Sequence, residues 1–176
     1  MPRYPTREEL AAGAEPIAAV PSSFWLQLMT TELGHKLDVA AVYVFGWSFI
    51  SWEASRLRGI DYQPSLLLTT VGRRSGKART SVLPYVRNED DYIVVGSNAG
   101  RARNPMWVEN ARANPCCQVR VARRSMDACV HLADGDERDA LLPIVAAKRP
   151  HIYNYDAHAA LHGRRAELLV ITPVSP

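Results

Sequence analysis

The sequence predicts an α+β fold: helices first, then an antiparallel sheet of six strands that curls into a barrel. Three observations carry that expectation. Through the first 60 positions apolar residues recur at three- and four-residue steps. From Ser65 onward they gather instead in short runs bounded by Gly, Pro, Asn and Asp, mostly joined as hairpins. Further helical segments stand between those runs, and no internal repeat is visible.

Taken in order, Pro21-Ser22-Ser23 opens a helix through Phe24, Leu26, Leu28 and Met29, with Ser22 or Ser23 as its N-cap. Asp38 is expected to start a second helix, in which Val42, Phe45, Phe49 and Trp52 share one face. Arg56, Arg58 and Gly59 close it. Ser65 to Val71 is a β-branched apolar run, and Arg79 to Arg87 is its hairpin partner, demoted to an edge or a bulge by Pro84. Asn88 to Asp91 is a turn, and Tyr92 to Ser97 is a third strand. Asn104 as N-cap and Pro105 at the first helical position open a helix to about Ala113, ended by Asn114-Pro115. Cys117 to Val121 alternates like a half-buried strand, and Met126 to Leu132 follows it across Arg123-Arg124-Ser125. Asp134 and Glu137 have the spacing of a capping box for a helix to Lys148, with Pro143 as a kink inside it. Ile152 to Leu161 is helical up to Gly163, and Ala166 to Ile171 is the closing strand. Residues 1–64 are thus a helical segment packing on a barrel of residues 65–176, one domain in all.

Composition narrows the class. With 176 residues, 47% hydrophobic and 22% charged, the chain reads as an ordinary globular domain and not as a disordered or fibrous one. The polar start has no secretory signal pattern, and the apolar stretch Val39 to Trp52 falls short of the ~20 residues of a membrane span. Three cysteines, two of them adjacent, suit neither a disulfide framework nor zinc. A reduced cytoplasmic protein is expected. Its five histidines show no ligand spacing beyond His158 and His162, which lack a third ligand.

The net charge of +3 hides an asymmetry. Between Val71 and Ser125 eleven Lys and Arg face four Asp and Glu, so the rest of the chain is net acidic. A locally held anionic partner follows, either nucleic acid or a phosphorylated small molecule; the bland alternative is a solvated basic surface. Two elements sharpen the choice. Gly72-Arg73-Arg74-Ser75-Gly76-Lys77-Ala78-Arg79 joins two strands through a glycine turn whose guanidinium forks suit phosphate or carboxylate; it lacks the spacing of a P-loop. Gly96-Ser97-Asn98-Ala99-Gly100 leaves a buried strand, and Asn104-Pro105-Met106-Trp107 then offers a helix N-terminus beside apolar side chains.

Together, GRRSGKAR, the strand Tyr92 to Ser97, and NPMW followed by Ala113-Asn114-Pro115 resemble the deazaflavin-dependent nitroreductase family, closely over Leu66 to Val121 and loosely to the C-terminus. The resemblance implies a split β-barrel binding coenzyme F420, a deazaflavin with a phosphate and an oligoglutamate tail. By position, the tail falls to Arg73, Arg74, Ser75 and Arg79. The cofactor is flanked by Thr80, Ser81, Val82, Leu83 and Pro84. Val95, Gly96, Ser97 and Asn98 approach the ring, and Met106, Trp107, Val108, Glu109 and Asn110 form the helix side of the groove. The implied chemistry is hydride transfer from reduced deazaflavin to a small-molecule acceptor such as a quinone, enone or nitroaromatic. Ser97 and Tyr155 are the implied proton donors.

The chain also departs from the family pattern. Asn98 stands where Lys is frequent, and Ile152, next to Tyr153, stands where a ring-proximal Tyr is expected. With Ile152 and Tyr153 as the substrate side, apolar planar acceptors are expected to outpace nitroimidazoles. A non-catalytic deazaflavin-sequestering protein and a nucleic-acid binder are the competing readings, with no nucleic acid preferred. The aromatic N-terminal helices are core, acceptor lining or a peripheral membrane face, and monomer and homodimer both stay open.

Overall fold

The computed structural model describes residues 4–17 and 23–174. Six strands close a barrel in the order β1-β2-β3-β6-β5-β4, every pair antiparallel: β1 Ser65–Val71, β2 Ala78–Asn88, β3 Asp91–Gly96, β4 Cys116–Val121, β5 Arg124–Leu132 and β6 Glu167–Pro173. Period-two alternation divides their side chains between two cores. Leu66, Leu68, Val94, Val119, Leu169 and Ile171 point into the barrel. Val86, Ile93, Leu168 and Val170 point outward, beneath α6 (Gly135–Lys148) and α7 (Ile152–Ala160). β6 serves both cores, which is why its sequence is a continuous apolar run and not an alternating one.

Pro84 sits where β2 changes partners. Residues 78–84 pair with β1, whereas pairing to β3 begins only at Tyr85, so the missing N–H of Pro84 interrupts no ladder. The β4–β5 turn is made by Ala122 and Arg123, both with positive φ (44° and 70°), the twist that two-residue hairpins favour.

The N-terminal half departs from expectation. Ser23 does cap α2 (Phe24–Met29), accepting from the Leu26 N–H; Pro21 and Ser22 lie outside the described residues. Asp38 does not start a helix: α3 runs from Glu32 to Phe45 behind a Thr31 cap, with Asp38 inside it and fully buried. Its carboxylate instead caps the next helix, α4 (Phe49–Arg58), accepting from the Ser48 hydroxyl at 2.8 Å and the Phe49 N–H at 2.8 Å. Gly46 (φ 70°) separates the two helices, so Val42, Phe45, Phe49 and Trp52 share no face. Val42 is buried while Phe45 is 77% exposed, and Phe24, Trp25, Leu33 and Leu37 are also on the surface. The aromatic N-terminal helices are therefore not core. Gly34 lets α3 cross α2 closely; a Cβ there would stand 2.5 Å from the Met29 Cα.

Two caps differ as well. Asp134 caps α6 only through the adjacent Gly135 N–H and also pairs with Arg165 at 2.9 Å, while Glu137 pairs with His131 at 2.8 Å, so no capping box forms at α6. The cap position of α5 (Met106–Ala113) is Pro105; the Asn104 side chain instead bridges Glu109 and Arg164. The three cysteines are free thiols. Among the described residues, no helix is long and apolar enough to cross a membrane.

Candidate functional site

The β1–β2 turn is built by its own backbone. Gly72 O accepts from the N–H groups of Ser75 (3.1 Å) and Gly76 (2.8 Å), and the Gly72 N–H donates to Lys77 O at 2.9 Å. A Cβ on Gly72 would meet the Ser75 hydroxyl at 2.8 Å. α5 fastens this turn from the side: the Arg73 N–H donates to Asn110 Oδ1 at 3.2 Å, and buried Asn110 reaches Thr70. The turn is thus a fixed platform from which guanidinium groups project.

Between the turn and α5 lies a cavity of about 510 Å³ lined by Arg73, Arg74, Arg79, Thr80, Met106 and Trp107, among others. An adjoining hollow of about 380 Å³ shares Arg73, Arg74 and Met106 and adds Arg103 and Glu109. Glu109 is the one carboxylate lining either space, and it is already engaged by Arg112 (3.5 Å) and Asn104 (3.1 Å). Among the described residues, no side chain pairs with or accepts from the side chains of Arg73, Arg74 or Arg79. The groove therefore combines three guanidinium groups with the apolar side chains of Met106 and Trp107. A ligand with a multiply charged tail and a flat apolar body matches it.

Of the residues singled out in the sequence, Arg73, Arg74, Ser75, Arg79, Thr80, Ser81, Met106, Trp107 and Asn110 converge on the main cavity, and Glu109 on the hollow beside it. The others go elsewhere. Leu83 and Val108 turn into the barrel core, and Val95 packs under the α6–α7 layer. Gly96 lies against Val108, where a Cβ would come within 2.5 Å of Cγ2. Ser97 is 8% exposed; its hydroxyl accepts from the Ala99 N–H at 3.4 Å and its carbonyl from Arg164 at 2.6 Å, while Asn98 donates to Arg103 O. Ile152 is 2% exposed within the outer core and lines neither the groove nor the hollow beside it, and Tyr153 packs beside it under the Arg7 guanidinium. Tyr155 is 4% exposed, its hydroxyl accepting from Arg58 Nη2 at 3.0 Å.

Val82 and Pro84 line a second cavity, of about 290 Å³, further along β2. It gathers residues that sequence reading did not join: Arg58 at the end of α4, with Arg149 and His151 before α7. Burial, reinforced by the two arginine charges, pushes the His151 imidazole down to about 3. Burial and the charge of Arg58 lower Arg149 to about 10. No local signal marks these three, because 91 residues separate Arg58 from Arg149.

A model of the F420H(2)-dependent quinone reductase family matches residues 49–173. An F420H(2)-dependent quinone reductase of Mycobacterium tuberculosis (strain ATCC 25618 / H37Rv) is 43% identical over 58 residues, 33% of this chain and 39% of that protein. The chain thus spans about two fifths of the length of the curated relatives it first matches. Among solved structures, an F420-H2 dependent reductase, FDR-A, superposes with TM-score 0.55 at 27% identity, over 61% of this chain and 93% of that one. A second structure, described as a domain-swapped dimer, gives TM-score 0.56 at 26% identity, over 64% of this chain and 84% of that one.

Proposed function

The chain belongs to the F420H(2)-dependent quinone reductase family, and from that premise we propose that it binds coenzyme F420 in the cationic groove and reduces a small planar acceptor of the quinone, enone or nitroaromatic type. The observation that carries this reading is the set Arg73, Arg74 and Arg79, three guanidinium groups without a carboxylate partner on a turn rigidified by its own hydrogen bonds. Such a set matches a phosphate and glutamate tail, each charge-assisted contact contributing about 1.5–3 kcal/mol. Ser75, Thr80 and Ser81 add hydroxyls to the same cavity, and Met106 and Trp107 add apolar surface. When bound, the reduced deazaflavin supplies a two-electron hydride.

The protein's own contribution is to seat and orient. Asn110 keeps the turn in register with α5, so the arginines and the apolar wall keep a fixed separation. Ser97 and Tyr155 line neither space of the groove. In this reading they act by position, Ser97 by capping the turn after β3 and Tyr155 by holding Arg58.

Oxidation of reduced F420, followed spectrophotometrically against menadione, cyclohexenone and a bicyclic nitroimidazole, tests the proposal. Turnover with the quinone or enone is expected. Tight F420 binding without turnover of any acceptor would replace this reading with a sequestering role. The domain-swapped relative makes a homodimer the assembly to test by light scattering, and a mass near 19.6 kDa would exclude it.

A further inference from the structure

Position in the chain pairs Cys116 with Cys117, but the β4–β5 hairpin pairs Cys116 with Cys129. The two stand directly opposite each other in the ladder, in a register pinned by the turn at Ala122 and Arg123. Directly opposed side chains share one face of a sheet, and both thiols are exposed. Cys117 points the other way, into the barrel core, where its thiol donates to Ala128 O at 3.4 Å. Burial first, then the neighbouring Cys129, Cys116 and Asp127, push that thiol up to about 11, so it stays protonated near neutral pH.

Backbone hydrogen bonding sets the spacing of the exposed pair. The Val130 N–H donates to Pro115 O at 2.9 Å, which makes residues 115 and 130 a hydrogen-bonded pair. Cys116 and Cys129, the next pair along, are therefore of the non-hydrogen-bonded kind. The Cα atoms of such pairs lie about 4.5 Å apart with their side chains close together. A disulfide bridges Cα separations of roughly 4.4–6.8 Å. Two further pairs of this kind on the same face already touch side chain to side chain. Gln118 Nε2 donates to Asp127 Oδ1 at 3.3 Å, and Arg120 Nη1 donates to the Ser125 hydroxyl at 2.8 Å. Cys116 and Cys129 continue that row with side chains able to join covalently. The Cys116 N–H donates to Asn114 Oδ1 at 3.1 Å, which holds the backbone at this end of β4.

We propose that Cys116 and Cys129 form a redox-active dithiol, which a low-molecular-weight disulfide oxidises to a cross-strand disulfide. One thiol loses its proton to solvent, and its thiolate attacks a sulfur of the small disulfide. That S–S bond breaks, a mixed disulfide forms on the protein, and one small thiolate leaves. The opposed cysteine, deprotonated in turn, attacks the protein sulfur of the mixed disulfide. The Sγ–Sγ bond forms and the second small thiolate leaves. Two electrons pass from the protein to the small disulfide, and the two protons end on the two small thiols. Excess small thiol runs the same exchange backward, as expected for an exposed bridge. No deazaflavin takes part, so the dithiol does not depend on F420 use.

The test treats the reduced full-length chain with excess oxidised glutathione and reads intact mass, then maps linkages after blocking free thiols. Wild type is expected to lose two hydrogens in mass and to yield a peptide linked through Cys116 and Cys129, with Cys117 still a thiol. Because the second attack is intramolecular, the glutathione adduct is expected to make up less than about a tenth of the oxidised chain. Cys116→Ser and Cys129→Ser, both at exposed positions, are each expected to stop at the glutathione adduct on the remaining exposed cysteine. The bridged chain is expected to melt at or above the temperature of the reduced chain, and dithiothreitol to restore both thiols. Persistent glutathione adducts on both exposed cysteines, a bridge through Cys117, a bridge between two chains, or no reaction of either thiol would each overturn the proposal. So would a bridged chain that melts below the reduced one, since the bond would then be pulling the strands out of register. Bridge formation in a chain that fails to bind F420 would leave this proposal standing and sink only the F420 reading.

Discussion

Arg138 and Arg73 carry the same guanidinium group into opposite circumstances. Arg138 is 6% exposed and fully answered: Nη2 donates to both oxygens of Asp156 (3.0 and 2.9 Å) and Nη1 to Ala166 O (2.8 Å). Asp156 also accepts from the Ala166 N–H at 2.6 Å, so one ion pair ties α6, α7 and the entry to β6. Arg73, with Arg74 and Arg79, projects into a cavity and meets no carboxylate. An arginine whose acceptors the fold supplies is part of the scaffold. One that lines a groove and is left to solvent is free to meet an anionic ligand.

The largest test of that contrast is Arg138→Met. Removing one partner strands the Asp156 carboxylate, a loss of about 3–5 kcal/mol in urea unfolding, while F420 affinity of the folded fraction stays within twofold. A loss below about 1 kcal/mol would place Arg138 outside the scaffold class. Next in size, Arg73→Ala and Arg79→Ala are each expected to weaken F420 binding by about 1.5–3 kcal/mol. They should leave a deazaflavin without the phosphate–glutamate tail unaffected and shift stability by no more than about 0.5 kcal/mol. Equal losses for both ligands would show that the turn does not read the tail.

His151 stands between these classes, buried like Arg138 and unanswered like Arg73. Its folded value near 3 lies below the unfolded value of 6.5, so between those two values the unfolded chain binds the extra proton. Stability is therefore expected to fall as pH drops from about 6.5 toward about 3, with a slope of up to ~1.4 kcal/mol per pH unit from this group. Denaturant midpoints of wild type and His151→Phe across that range measure it; parallel curves would show that the imidazole titrates normally. The smallest effect is expected at Met106, 58% exposed on the groove wall. Met106→Ala should weaken F420 and the tailless deazaflavin equally, by about 0.5–1 kcal/mol, which separates wall from tail by equilibrium titration.

Much of this was open to a reader of the sequence. Six apolar runs and their turn residues marked the strands to within a residue or two, because strand period and turn chemistry are properties of adjacent residues. GRRSGKAR marked the cationic turn that lines the groove for the same reason: eight consecutive residues carry the glycines and the charges. Some errors were still local. The apolar period runs unbroken across Gly46, although that glycine and the Ser48 cap divide the segment into two helices.

The remaining distinctions belong to the tertiary structure. Arg73 and Arg138 are indistinguishable as letters; what separates them is Asp156, 18 positions beyond Arg138 and brought to it by the packing of α7 against α6. Leu83 and Val108 closely follow the two motifs yet face the barrel core, because strand alternation and helix phase, once the barrel closes, turn them away from the groove. Arg58, Arg149 and His151 meet only because α4 and the start of α7 line the same cavity. Chain composition and spacing determine which groups are present and which elements they ride on. Whether a charge finds its counterion is decided by segments distant in sequence, since electrostatic and hydrogen-bond partners act over a few ångströms of space and not along the chain.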